Sequence, residues 1–173
     1  MSTDQVSTMT SESELLLNTA GIQIDKDACV VIIKTEWNAA IIDALLDGVK
    51  EILDTKEVKY FVYTVPGAVE IGYAIQKVWE NAKGTRMVPS AFITLGCVIR
   101  GETPHFDYVC QSVTSAITLL NLQLPVPTIF GVLTVNHQQE ALDRIGGKHG
   151  HKGKEAAVAA LKMIAFGQAA YLK

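Results

Sequence analysis

The run Ala91-Phe92-Ile93-Thr94-Leu95-Gly96-Cys97-Val98-Ile99, followed directly by Arg100-Gly101-Glu102-Thr103-Pro104-His105-Phe106-Asp107-Tyr108, decides the fold. Its first half is short, apolar and rich in β-branched residues, which marks a buried central strand. Its second half opens a helix. Thr103 suits the N-cap and Pro104 the first helical position. Phe106, Val109, Cys110, Val113, Ile117 and Leu120 then recur at helical spacing. Gly101 lets the chain turn between the two elements.

The same alternation extends in both directions. Upstream, CVVII from residue 29 and YFVYTV from residue 60 read as strands. Between them Ile41, Ile42, Leu45, Leu46, Val49, Ile52 and Leu53 form one apolar helical stripe. Residues 68–83 read as a helix with Gly72 as a soft spot. Downstream, TIFGVLTV from residue 128 is a fourth strand. A short helix near 137–145 follows, then a glycine-broken loop, then an Ala-rich helix from about 153 with Ala157, Leu161 and Ile164 inward. This βαβαβαβαα order predicts an α/β fold. It is a three-layer α/β/α sandwich around a four-stranded parallel sheet whose strands are buried on both faces, with an optional extra N-terminal edge strand. Residues 1–14, rich in Ser and Thr, predict a disordered tail, and residues 15–173 a single domain.

Composition narrows the class. Of 173 residues, 49% are hydrophobic and 19% charged, which suits a folded chain with apolar surface to spare for subunit contacts. A net charge of −3 offers no basic field for nucleic acid. No apolar run is long enough for a bilayer, and no basic n-region precedes an apolar stretch, so neither membrane nor secretion is expected. Cys29, Cys97 and Cys110 lack metal-ligand spacing. Cys29 and Cys97 lie in apolar runs and read as buried thiols, so the expected location is cytoplasmic.

In a parallel sheet, ligands bind beyond the carboxyl ends of the strands. After the first strand come Trp37 and Asn38. Trp37 can stack on a flat heteroaromatic ring, although alone it reads as a packing residue, and Asn38 suits a helix cap. After the second come Pro66-Gly67-Ala68-Val69-Glu70, where Gly67 permits close approach to a ligand and the helix-opening amides suit a polyol. Glu70 equally suits the helix dipole. After the third, the helix start offers free N–H groups to an anion such as phosphate, beside Glu102, Thr103 and His105. A neutral imidazole there can exchange protons with a bound substrate. After the fourth, Arg144 and Lys152 bracket a glycine-broken basic segment that suits an anionic ligand. His149 and His151 invite a metal reading, but no carboxylate or thiol stands at ligand spacing, so no metal is expected.

Together these segments resemble the lumazine synthase family over residues 17–166. The resemblance rests on Gly101-x-Thr103-Pro104-His105-Phe106-Asp107-Tyr108, Val65-Pro66-Gly67-x-x-Glu70, Phe130-Gly131-Val132-Leu133-Thr134, and Arg144-x-Gly146-x-Lys148-x-Gly150-x-Lys152-Gly153. It implies a flavodoxin-like fold and condensation of 5-amino-6-(D-ribitylamino)uracil with 3,4-dihydroxy-2-butanone 4-phosphate, without cofactor or metal. By the same resemblance Trp37 stacks on the pyrimidine. Ala68, Val69 and Glu70 hold the ribityl chain, and Cys97, Val98 and Ile99 line the pyrimidine pocket. Glu102 and Thr103 hold the butanone phosphate, and His105 moves protons. Phe130, Arg144 and Lys152 come from the adjacent subunit, with Arg144 on the phosphate. The Glu102 carboxylate stands where small residues are frequent, so its side chain is expected in solvent and only its amide in the site. The resemblance also implies a pentamer or a shell of twelve pentamers, with the short 146–152 loop favouring the shell, and names riboflavin synthase as a candidate partner. The competing expectations are a non-catalytic flavin- or lumazine-binding shell protein of the same fold, and a riboflavin synthase.

Overall fold

A computed structural model of the chain describes residues 16–170. The expected tail at residues 1–14 lies outside the described residues. Four strands, β1 (Cys29–Thr35), β2 (Lys59–Val65), β3 (Ala91–Ile99) and β4 (Thr128–Val135), form one parallel sheet in the order β2-β1-β3-β4. Helices α1 (Ala39–Thr55), α2 (Ile71–Ala82) and α3 (His105–Gln123) follow the first three strands. A short helix α4 (Gln138–Leu142) follows β4, and α5 (Lys152–Ala169) closes the chain. Among the described residues no strand precedes Cys29, so no N-terminal edge strand is added to the sheet.

The sandwich has two cores. On one face Ile41, Ile42, Leu45 and Val49 of α1 and Ala157, Ala160, Leu161 and Ile164 of α5 pack on Val30, Ile32, Ile93 and Leu95. On the other, Ile71 and Ile75 of α2 and Val113, Ile117 and Leu120 of α3 pack on Val31, Ile33, Phe92 and Val132. Alternate residues of each strand thus serve opposite layers, as the pleat requires. Gly153 lets α5 begin directly against the α1 backbone, since a side chain there would collide with the Leu45 carbonyl. The one polar side chain in the middle of β3, Thr94, is satisfied: its hydroxyl donates to the Ile129 carbonyl at 2.9 Å and accepts from Gly131 N–H. Gly72 interrupts nothing; it allows α2 to approach Ala116 of α3 closely.

Two expectations are corrected. Strand β2 is not buried on both faces. Among the described residues it pairs only with β1, at the sheet edge, and Phe61, Val62 and Tyr63 are exposed. The segment after α4 is not a featureless loop. Ile145–Gly147 (β5) and Gly150–His151 (β6) form a small antiparallel hairpin, separate from the main sheet and running straight into α5. Gly146 and Gly150 have φ of 110° and 78°, so glycine makes this tight hairpin accessible.

Candidate functional site

The sheet order places β1 between β2 and β3, so the chain leaves β1 and β3 toward opposite sides. A crevice opens at the carboxyl ends of the strands where such a reversal occurs. A cavity of about 560 Å³ lies there. Thr35, Trp37 and Asn38 come from the end of β1. Gly67, Ala68, Val69 and Glu70 follow β2. Cys97, Val98 and Ile99 end β3, and His105 and Val109 open α3. The lining is apolar with a few polar groups, which suits a flat ring carrying a polar chain.

Trp37 is 73% exposed, so the packing reading fails. Its indole stands at the cavity wall, free to stack on a ligand. Asn38 does not cap α1 through its side chain. It adopts a left-handed conformation (φ 59°, ψ 43°), tolerable for asparagine, and its amide Nδ2 donates to the Cys97 carbonyl at 2.9 Å. That bond ties the β1 exit to the β3 exit across the cavity floor. Gly67 is extended, with φ −151°, so no left-handed turn requires glycine. A Cβ there would instead press on Glu70 Oε2 at 3.1 Å and approach Trp37. Ala68–Glu70 form one turn of 3₁₀ helix before α2.

The β3–α3 connection also departs from expectation. Pro104, not Thr103, occupies the position before the first helical residue, His105, and no side chain caps the helix. Gly101 does not use a left-handed φ. The start of α3 is fixed by Arg100 instead. Its guanidinium stacks 4.1 Å over the Phe106 ring, pairs with Asp107 at 2.9 Å, and donates to Asn136 at 3.2 Å. Glu102 and Thr103 are exposed at the rim and do not line the cavity. Burial raises the Cys97 thiol to about 11, so at neutral pH it presents an uncharged wall rather than a nucleophile.

Phe130, Arg144 and Lys152 do not join this group. They line a second cavity, of about 670 Å³, beside β4, α4 and the hairpin. Lys148 and His149 also line it, as do Glu140 and Asp143. Both carboxyls are held below their ordinary values, Glu140 chiefly by the Asn136 N–H and Asp143 chiefly by the Gln139 amide. Arg144 grips the Glu155 carboxylate at 2.9 and 3.1 Å and donates to the His149 carbonyl. Lys152 approaches Glu155 at 3.6 Å and Lys148 approaches Asp143 at 3.4 Å. The sequence-predicted site is therefore split between two cavities of one chain, with Glu102 and Thr103 lining neither. Among the described residues no group of three His, Cys, Asp or Glu side chains is disposed to hold a metal, and no helix is long and apolar enough to cross a membrane.

Sequence reasoning missed Thr35 and Val109 in the cavity lining, and Arg100 as the anchor of α3. Thr35 ends β1 on the carboxyl side, and Val109 lies one turn beyond His105, so both were reachable from position alone. Arg100 carried no signal beyond its place at the β3 exit.

The family model described as 6,7-dimethyl-8-ribityllumazine synthase matches residues 27–168. A protein of that name from Bacteroides fragilis is 45% identical over 138 residues, covering 78% of this chain and 93% of the relative. One from Porphyromonas gingivalis is 46% identical over 141 residues, covering 80% and 84%. One from Flavobacterium johnsoniae is 44% identical over 141 residues, covering 80% and 72%.

Proposed function

The chain belongs to the 6,7-dimethyl-8-ribityllumazine synthase family, and from that membership we propose that it is a transferase of riboflavin biosynthesis, joining 5-amino-6-(D-ribitylamino)uracil to 3,4-dihydroxy-2-butanone 4-phosphate. The observation that carries the reading is the cavity joining an exposed indole, a helix-opening turn and the His105 imidazole at the carboxyl ends of β1, β2 and β3. Trp37 stacks on the pyrimidine, with Asn38, Cys97, Val98 and Ile99 beneath it. Gly67, Ala68, Val69 and Glu70 receive the ribityl chain. The amides and hydroxyl of Glu102 and Thr103 meet the phosphate at the rim.

The nucleophile is the substrate's own amine. It adds to the ketone and loses water to give an imine. Phosphate then leaves, and the resulting enol becomes a ketone. The second amine closes the ring with loss of another water. The protein needs only to hold two reactants together and to move protons. His105→Ala is therefore expected to lower turnover by about 10²-fold or less, within the range of a single acid–base group. Steady-state turnover of an oligomer assembled like wild type checks this, and complete loss would contradict it.

The split site supports catalysis between subunits: the cavity beside Phe130, Arg144 and Lys152 of one chain completes the Trp37 cavity of its neighbour. The assembly is a pentamer, with twelve pentamers forming a shell, in the cytoplasm. Light scattering that finds only a pentamer-sized particle would remove the shell. The reaction itself is tested by mixing the purified protein with both substrates and following lumazine fluorescence and phosphate release. Equal yields, faster than without protein, are expected. A correctly assembled oligomer that accelerates nothing yet binds flavin tightly would replace the enzyme with a silent binder.

A further inference from the structure

The imidazole of His151 sits where β6 runs into α5, pressed against Gly48 of α1. A methyl group at position 48 would overlap ring atoms Cε1, Nδ1 and Nε2, so the ring fills a slot that only glycine leaves open. Nδ1 is shut off from solvent and has no hydrogen-bond partner among the described residues. A buried polar atom of this kind calls for a reason. The chain around it supplies one. Lys152 follows His151 directly, and its N–H donates to the Arg144 carbonyl at 2.8 Å. Ile145, which follows Arg144, is the cross-strand partner of His151. One docked ring thus fixes the backbone beneath Arg144 and Lys152 of the second cavity.

We propose that His151 is a positioning residue: seated as a neutral imidazole against Gly48, it locks the β5–β6 hairpin onto α1 and so sets where Arg144 and Lys152 present their charges. The proposal rests on the reading of those two side chains as the phosphate-facing half of the site. It also makes that half sensitive to acid. The ring is faced by Glu51 from α1 and by Lys154 and Glu155 from α5, while Asp143, Arg144, Lys148 and His149 flank the hairpin. The carboxylates nearest it are already engaged, Glu51 with Lys154 at 2.6 Å and Glu155 with Arg144 at 2.9 Å. The amino end of α5 adds further positive potential. Burial first, and then Lys154, hold the imidazole below its ordinary value of 6.5. The unfolded chain therefore takes up the proton first. Neutral docking stabilises in full above 6.5 and is lost as pH falls through the window beneath that value.

The test uses the assembled enzyme and both substrates. His151→Ala empties the slot, Gly48→Ala wedges the ring out, and His151→Gln fills the slot without titrating. Both Ala variants are expected to raise KM for the butanone phosphate about tenfold, short of the 10² that outright misplacement can cost. KM for the ribitylaminouracil should stay within about twofold, because Gly48 lies roughly 15 Å along α1 from Asn38 and the Trp37 cavity. His151→Gln should keep the wild-type KM near pH 7.5. It should also lose the rise expected of wild type as the pH falls below 6.5; phosphate titration of the substrate is common to both proteins and cancels. Unchanged KM in correctly assembled Ala variants, or superimposable pH profiles for wild type and His151→Gln, overturns the proposal. If the variants do not assemble, a wild-type KM that rises no more than substrate ionisation demands overturns it as well. An inactive wild type, by contrast, overturns the reaction assigned above and not the docking of the ring.

Discussion

Arg144→Ala should lower kcat/KM for the butanone phosphate by about 10³-fold, the largest loss from any single substitution at either cavity. The guanidinium already holds an anion. Its Nη2 alone reaches both oxygens of Glu155, at 2.9 and 3.1 Å, while Nη1 donates to the His149 carbonyl. A guanidinium can also present two parallel N–H groups to two phosphate oxygens, and the hairpin keeps it aimed. Truncating one member of a desolvated, hydrogen-bonded charge pair costs about 2–5 kcal/mol, and about 1.4 kcal/mol is tenfold. Arg144→Lys should recover little, because an ammonium presents no fork. Steady-state kinetics, paired with light scattering to verify assembly, decides the matter. A loss below tenfold in an intact oligomer would remove Arg144 from the phosphate.

Two nearly inactive proteins should restore each other. Trp37→Ala combined with His105→Ala damages only the cavity at the ends of β1, β2 and β3, and Arg144→Ala damages only the cavity beside β4 and the hairpin. When both are dissociated, mixed in equal amounts and reassembled, a site formed between neighbours receives two intact halves in roughly one case in four. Activity should therefore climb to roughly a quarter of wild type from two preparations with almost none. Activity no greater than the sum of the separate proteins would mean that one chain builds its whole site, and that the separation of the two cavities is misleading.

The layered sandwich was legible because its central elements obey strong periodicities. Val30, Ile32, Ile93 and Leu95 occupy runs that only a buried strand accommodates, and the Ile41-to-Leu53 stripe fits a single helix face. Strand β2 was misread because Tyr-Phe-Val-Tyr-Thr-Val is equally at home inside a fold and at a sheet edge. Edge position depends on strand order, which no local pattern carries. The β5–β6 hairpin escaped because its strands are two and three residues long and mostly glycine, too short for any period to register. At the site, the strand-end rule gathered Trp37, Gly67 to Glu70, Cys97 to Ile99 and His105 into one cavity. It could not reveal that Asn38 would reach across to Cys97, or that Arg100 rather than a Thr cap would anchor α3. Those contacts join residues distant in sequence or stacked out of register with the helix. The separation of Phe130, Arg144 and Lys152 from the rest followed from the resemblance and not from the residues themselves.

Strand β2 carries one more consequence, for the life of a newly made chain. Among the described residues nothing pairs with its outer edge, which lies beside exposed Phe61, Val62 and Tyr63. A strand with such an edge pairs readily with whatever extended chain it meets first. Rapid synthesis thus sets a race between completion of this chain's own fold and capture of the edge by an unfolded chain. Cooling the culture or slowing translation should shift material from the pellet to the supernatant, with no change in the stability of the finished particle.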